Sequence, residues 1–283
     1  MSADRDIERN VRAHDRVSRR YEWIHGEIFN PIEQARLAES VRVAVSRIET
    51  RRTPLRALDA GCGTGNLTRH LLGAGLHVTA ADVSTESLAQ LRKSIRDPEQ
   101  LSRLETLRLN GRDMSETADG TFDLVAAYSL LHHIPDYLGF VREMARVLSP
   151  GGVVYLEHEA AKCSWTPSAE YREYVKRAKP RWSNSERWRK FLVPENYWFK
   201  LVRLRDPRRT AEGDLHVWPD DHIEWDDIVR VLKTAGVPTP EYEEYLLYSR
   251  GFDEGVYREY RGKCADVAHV VGVKMAVEGP PNS

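Results

Sequence analysis

The sequence predicts an α/β protein with a doubly wound, mostly parallel seven-stranded sheet, an N-terminal helical cap and a helical lid inserted after strand five. Three observations support this fold class. Short apolar segments alternate with helical patterns between residues 55 and 160, a glycine-rich turn joins the first strand to its helix, and acidic residues follow later strands. Strands that alternate with helices form parallel sheets covered on both faces.

Length and composition fit one such domain with an added subdomain. The chain has 283 residues, 41% of them hydrophobic, which suffices for one substantial core. Its 42 Lys and Arg nearly balance 43 Asp and Glu, so net charge favours neither nucleic acid nor membranes as partners. The charged N-terminus lacks the apolar core of a secretory signal, and the three dispersed cysteines form no CxxC pair. We therefore expect a cytoplasmic protein without membrane insertion, a disulfide framework or structural zinc.

We expect four regions along the chain. Residues 1–50 form the helical cap, and residues 51–160 form the ligand-binding core. Residues 161–221 interrupt the alternation and are polar, aromatic and basic. A structureless loop of that length is rare inside a compact domain, so this segment is predicted to be the helical lid that contacts the acceptor. Residues 222–283 complete the core with one helix and the last two strands.

The individual elements have recognisable signals. Asn30, Pro31 and Glu33 predict a helix start, with a capping residue, a proline at the first helical position and an acid three residues after the cap. A helix is expected over 222–238, where acids come early and Gly236 is the stop. Strands are expected at the apolar segments between turn residues, namely 56–61, 77–83, 104–110, 122–129, 153–159, 244–250 and 266–276.

The most specific feature is the segment ALDAGCGTGN at residues 57–66, where a strand passes through Gly61, Gly63 and Gly65 into a helix. Glycines at such a turn allow a tight bend and let a ligand approach without meeting a β-carbon. Asp82 ends the next strand, where an acid hydrogen-bonds ribose hydroxyls in nucleotide-type sites.

Two further polar residues follow strands of the same sheet. Asp113 comes after the third strand and can accept a hydrogen bond from an adenine amino group, and Ser129 ends the fourth strand. The carboxyl ends of parallel strands meet at one edge, where open α/β sheets bind ligands. The sequence therefore predicts one ligand crevice at that edge.

These motifs resemble the class I, Rossmann-like S-adenosylmethionine-dependent methyltransferases. Asp59 and the three glycines after it match the family's first motif, an acid followed by G-x-G-x-G. Dinucleotide sites instead use G-x-G-x-x-G, which places a pyrophosphate on a helix N-terminus. The segments 122–134 and 148–159 look like later motifs of the branch containing small-molecule and quinone C-methyltransferases. The resemblance covers residues 50–160 and implies S-adenosyl-L-methionine as the cofactor.

The resemblance also implies which residues bind the cofactor. Asp82 matches the ribose-binding acid, and Asp59 is expected to hold the methionine ammonium directly or through water. Tyr21 is the expected tyrosine of an entrance helix that folds over the donor. The complete predicted set is Tyr21, Asp59, Gly61, Cys62, Gly63, Gly65, Asp82, Val83, Arg112, Asp113, Met114 and Ser129.

The candidate catalytic bases are His158 and Glu157 after the fifth strand and His133 after the fourth. Methyl transfer requires an aligned nucleophile and, for a hydroxyl acceptor, removal of a proton, which a neutral histidine performs near neutral pH. The alternative for each is a packing or loop-holding role. No metal is expected: the spacing of His158, His216 and His222 matches no metal motif, and WPDDHIEWDD at 218–227 is interpreted as an acidic helix start.

The lid leaves the acceptor open. Between residues 162 and 209 cations outnumber acids, and tryptophans and tyrosines are interleaved with them. A pocket for an anionic or aromatic small molecule, an RNA-binding surface, and a solvated helix pair with buried aromatics all fit this composition. We expect methyl transfer to oxygen, nitrogen or carbon of a small metabolite. The alternatives are an RNA or tRNA base methyltransferase and a non-catalytic S-adenosylmethionine-binding module.

Overall fold

The computed structural model describes residues 3–18, 21–179, 208, 210 and 213–275. Its strands are β1 (Arg56–Ala60), β2 (His77–Asp82), β3 (Leu104–Arg108), β4 (Phe122–Tyr128), β5 (Leu148–Ala160), β6 (Val217–Trp218), β7 (Asp221–His222), β8 (Glu241–Tyr245) and β9 (Val267–Val273). Seven of them form one sheet in the order β3-β2-β1-β4-β5-β9-β8, while β6 and β7 pair as a small hairpin. The first five strands are parallel neighbours, and β9 is antiparallel to both β5 and β8. The predicted doubly wound, mostly parallel seven-stranded sheet is confirmed.

Helices cover both faces of this sheet. They are α1 (Ala3–Val17), α2 (Tyr21–Ile24), α3 (Pro31–Ser46), α4 (Asn66–Gly73), α5 (Thr85–Ser94), α6 (Pro98–Ser102), α7 (Tyr137–Val147), α8 (Ala169–Ala178), α9 (Trp225–Thr234) and α10 (Glu254–Tyr260). One core layer contains Leu37, Leu71 and Leu91 from α3, α4 and α5. The other contains residues of α7 and α9, such as Val141 and Ile228. Across the described residues, no helix has the length and apolar character needed to cross a membrane.

The helix α3 begins where the sequence predicted. The Asn30 side chain accepts a hydrogen bond from the Glu33 amide at 3.0 Å, and Pro31 occupies the first turn. The Glu33 carboxylate does not reach back to the cap, because it pairs with Arg36 inside the protein. The cap therefore depends on asparagine, and the glutamate belongs to a buried polar network.

Two predicted elements have different bounds in the structure. The strand expected at 244–250 lies at Glu241–Tyr245, because Leu246 leaves the sheet and packs against α8 and α10. The helix expected over 222–238 spans only Trp225–Thr234, since Asp221 and His222 pair with β6.

Most of the predicted lid lies outside the described residues, namely 180–207, 209, 211 and 212. Its first part is helical, as α8 shows. The division of the chain into four regions remains a prediction.

Candidate active site

A cavity lies at the carboxyl edge of β1, β2 and β4. Its walls come from the glycine-rich turn, the ends of these strands, and the helices α1 and α2. Eight of the residues predicted to bind the cofactor line it: Tyr21, Asp59, Gly61, Cys62, Gly63, Asp82, Val83 and Ser129. The topology thus brings together residues that are more than a hundred positions apart in the sequence, at the edge expected for a doubly wound sheet.

The glycine-rich turn is tied to the neighbouring strand by its own backbone. The amides of Gly61 and Cys62 both donate to the Ala81 carbonyl, at 2.8 and 3.0 Å. Gly63 has φ +51, and a Cβ placed on it would meet no described atom within 4 Å. Because Gly63 lines the cavity, that open space is available to a ligand.

Asp82 holds the turn and also faces the cavity. Its Oδ2 accepts from the Gly63 amide at 2.9 Å, and its Oδ1 accepts from the Ser84 amide at 2.8 Å. Burial raises the pKa of this carboxyl, although the Ser84 amide opposes the effect. Carboxylate oxygens have spare lone pairs after one hydrogen bond each, so ribose hydroxyls can still donate to them.

Asp59 presents a buried acceptor without a donor. Its Oδ2 accepts from the Thr68 hydroxyl at 2.5 Å, while its Oδ1 has no hydrogen-bond partner among the described residues. The side chain is 0% exposed, and burial raises its pKa to about 7, with the Thr68 hydrogen bond opposing. An unsatisfied buried acceptor is costly unless a ligand supplies the donor. A cation is the group that satisfies it best.

Four residues of the predicted cofactor set do not line the cavity. Gly65, with φ +96, sits at the start of α4, where a Cβ would collide with Leu91, so its role is to make the turn. In the segment after β3, the cavity is lined by Leu109 and Gly111. The remaining three predicted residues, Arg112, Asp113 and Met114, lie outside that wall.

Asp113 is held by its own loop. Its carboxylate accepts from the Asn110 side chain at 2.8 Å and from the Ser115 hydroxyl at 2.7 Å. These hydrogen bonds lower its pKa to about 2. Met114 is buried in the core. In this segment Gly111 lines the cavity and Asp113 does not, and a contact of Asp113 with adenine stays a prediction.

The helix α1 contributes cavity-lining residues that the sequence analysis did not name. Ile7, Asn10 and His14 from α1 and Ser18 directly after it line the cavity, beside Tyr21 from α2. The spacing of three or four residues between them is the only sequence signal, and it is typical of one helix face. The cap therefore encloses the ligand space directly.

Of the three predicted bases, His133 lines the cavity. Its side chain is 7% exposed, and its ring lies edge-on to His14 at 4.8 Å. Burial and the neighbouring His132 lower its pKa well below the usual histidine value, so it is neutral.

Glu157 does not line the cavity, and its role as a base stays a prediction. Its carboxylate accepts hydrogen bonds from the hydroxyls of Tyr155 and Tyr245, and it pairs with Arg36 at 3.3 Å. Burial would raise the pKa of Glu157, but Arg36 and the two hydroxyls lower it overall. The residue is the centre of a buried network between β5 and α3.

His158 lies behind the cavity wall. It has the left-handed φ of +64, and its ring stacks on Tyr128, which lines the cavity, with centroids 4.7 Å apart. Neither ring nitrogen has a hydrogen-bond partner among the described residues, and burial lowers its pKa to about 4. Left-handed backbone in a residue other than glycine often marks a functional site. His158 itself does not line the cavity, but it contacts Tyr128, which does.

The sheet order and the position of the cavity define a Rossmann-like α/β protein, with its ligand crevice at the switch point between β1 and β4. Residues 58–156 match a family described as methyltransferase domain. This match, over about a third of the chain, shows a methyltransferase domain in that segment.

Several known proteins are similar to this chain. Ubiquinone biosynthesis O-methyltransferase from Xanthomonas campestris is 27% identical over 158 residues, which cover 53% of this chain and 62% of that protein. The chain thus spans less than two thirds of this relative's length. Phosphoethanolamine N-methyltransferase 2 from Haemonchus contortus, solved with S-adenosyl-L-methionine, has a TM-score of 0.53 and 17% identity over 93% of this chain and 57% of its own. A possible histamine N-methyltransferase from Thermotoga maritima has a TM-score of 0.53 and 13% identity, covering 93% and 99%. At these identities the solved structures show the shared fold.

Proposed function

We propose that this protein binds S-adenosyl-L-methionine in the cavity and transfers its methyl group to oxygen, nitrogen or carbon of a small acceptor. The observation that carries the proposal is the buried Asp59 carboxylate beside the glycine-rich turn, because one of its oxygens has no hydrogen-bond donor among the described residues. A zwitterionic methionine moiety supplies the ammonium that this oxygen needs.

The cavity wall suggests how the donor lies. The adenine is placed between Ile7, Val83 and Leu109, where the lining is apolar. The ribose hydroxyls are placed on Asp82, and the ammonium on Asp59. Tyr21, from α2, also lines the cavity and is proposed to cover the donor.

The acceptor is placed against His133, the predicted base that lines the cavity. The covering helices α1 and α2 exclude water and align the nucleophile with the methyl group, which is the main task of the protein in a displacement on an activated donor. A cavity enclosed in this way favours a small molecule over an RNA base, because a nucleic acid needs an open track for its backbone. The name of the Xanthomonas relative supports an oxygen acceptor.

Calorimetric titration with S-adenosyl-L-methionine tests the donor site. We expect Asp82→Ala to weaken binding at least about tenfold, roughly 1.4 kcal/mol, since it removes the ribose acceptor and the support of Gly63. Asp97→Ala is the matched control, because Asp97 accepts the Glu99 amide at 2.9 Å on the exposed start of α6. Equal affinities for the two variants would refute the site. A screen of metabolite extracts with methyl-labelled donor then identifies the acceptor.

A further inference from the structure

We propose that His132, His133 and Asp214 form a binding site for a divalent transition-metal ion at the acceptor end of the cavity, and that the ion binds a hydroxyl group of the acceptor. The metal site stands on geometry alone, while its role in turnover rests on the proposed methyl transfer.

The three side chains converge on one point. One ligand atom from each lies within 4.8 Å of the others. His133 Nδ1 is 3.4 Å from Asp214 Oδ1, and His132 Nε2 is 4.0 Å from the same oxygen. Ligands about 2.0–2.2 Å from a common ion are separated by roughly 3.0–3.5 Å, so the distance from His133 to Asp214 already fits, and the other ligand atoms, up to 4.8 Å apart, move closer when the ion binds.

The approach of Asp214 to the histidines is fixed by the backbone. The His132 carbonyl accepts from the amides of Leu215 and His216 at 2.8 and 3.2 Å. The His216 ring also contacts the Ile134 carbonyl at 3.1 Å. The segment leading into β6 is therefore attached to the turn after β4, and Asp214 is held beside both rings.

Glu159 orients His132 as a ligand. It is 3% exposed, its Oε2 is 2.7 Å from His132 Nδ1, and its Oε1 accepts from the Leu131 amide at 2.6 Å. A carboxylate on one ring nitrogen selects the tautomer whose other nitrogen has a free lone pair, and this arrangement commonly supports histidine ligands of metals. Here it directs His132 Nε2 towards Asp214.

His133 is prepared for the same role. Its Nδ1 is buried and makes no hydrogen bond within the described part of the chain. Two imidazoles and one carboxylate suit zinc, iron or similar ions better than magnesium or calcium, which prefer oxygen ligands.

Three protein ligands leave coordination positions for a substrate. Since His133 lines the cavity, the open side faces the acceptor. A hydroxyl bound to the ion loses its proton to solvent near neutral pH. Its oxygen then forms a bond to the methyl carbon of the sulfonium as the carbon–sulfur bond breaks, which yields the methyl ether and S-adenosylhomocysteine. The acceptor class is therefore an alcohol or phenol.

The test is a titration of untagged, chelator-treated protein with Co²⁺. We expect one ion per chain, measured by elemental analysis, and visible absorption bands of a site with nitrogen and oxygen ligands. His133→Ala and Asp214→Asn should abolish those bands. Glu159→Gln should weaken binding about 10–100-fold. His77→Ala is the control, because it removes an exposed histidine at the start of β2.

Folding and donor binding are measured on the same variants by circular dichroism and calorimetry. A wild-type protein that binds no Co²⁺, or folded His133→Ala and Asp214→Asn variants that keep the absorption bands, would overturn the metal site. A wild-type protein that binds Co²⁺ but does not bind S-adenosyl-L-methionine would instead refute the proposed function. The two failures are thus distinguishable.

Discussion

The affinity of the cavity for S-adenosyl-L-methionine should rise with pH because of Asp59. In the unliganded protein burial raises the pKa of this carboxyl to about 7. Only the ionised form attracts the donor ammonium, so binding pulls the pKa down and releases a proton. With a pKa near 7, about 3% of the carboxyl is ionised at pH 5.5 and about half at pH 7.0. The affinity for the donor is therefore expected to rise about fifteenfold between pH 5.5 and pH 7.0, or roughly 1.6 kcal/mol.

Calorimetry at pH 5.5, 6.2 and 7.0, in two buffers with different heats of ionisation, measures both affinity and proton release. The α-amino group of the donor stays protonated over this range, since such groups have a pKa of about 7.7–8.0. The matched variant Asp59→Asn retains an oxygen for Thr68 but does not ionise, so it should bind weakly with a flatter pH profile. Any remaining slope is assigned to Asp82, whose pKa burial also raises. Identical pH profiles for wild type and Asp59→Asn would refute the reasoning.

Three further variants test the geometry. Gly63→Ala should lower donor affinity at least about tenfold, because the added methyl group would enter the open space of the cavity and the φ of +51 at this position suits glycine. An unchanged affinity in calorimetry would contradict this expectation. Asp113→Ala should change donor affinity less than about threefold, since the hydrogen bonds of its carboxylate with Asn110 and Ser115 lie within its own loop and the residue does not line the cavity. A large loss of affinity would support a contact between Asp113 and adenine. Glu157→Gln should lower the free energy of unfolding, measured in urea, by about 3 kcal/mol, because it leaves Arg36 with a weaker buried partner. The folded variant should keep its affinity for the donor. An unchanged urea midpoint would contradict the buried network around Glu157.

The sheet and the glycine-rich turn were predictable because their signals are local. The turn has glycines at the alternate positions 61, 63 and 65, and Asp82 ends its strand. The hydrogen bonding of Asp113 was not predictable in the same way, because the Asn110 side chain donates to its carboxylate within a short loop.

The contacts of the two acids near the end of β5 depend on an irregularity in that strand. Glu157 and Glu159 would share one face in a regular strand. The pairing of β5 with β9 shifts register between Leu156 and Glu159, and His158 has a left-handed φ there. Glu157 therefore contacts α3, and Glu159 contacts the turn after β4. The alternation of residue types in the sequence does not indicate such a bulge.

The meeting of His132 with Asp214 is a tertiary effect. The residues are separated by most of the lid, and the sequence assigned the nearby acidic segment to a helix start. The hairpin of β6 and β7 replaces that start and brings Asp214 to the turn after β4. No local pattern indicates this approach.

The position of α1 has a kinetic consequence. Ile7 lies against Gly111 at one end of the crevice, and Asp15 accepts a hydrogen bond from Ser84 at 2.5 Å near the other. Under the proposed function, α1 would separate from the strand ends when the donor enters and its product leaves, so these contacts would be broken and remade in each cycle.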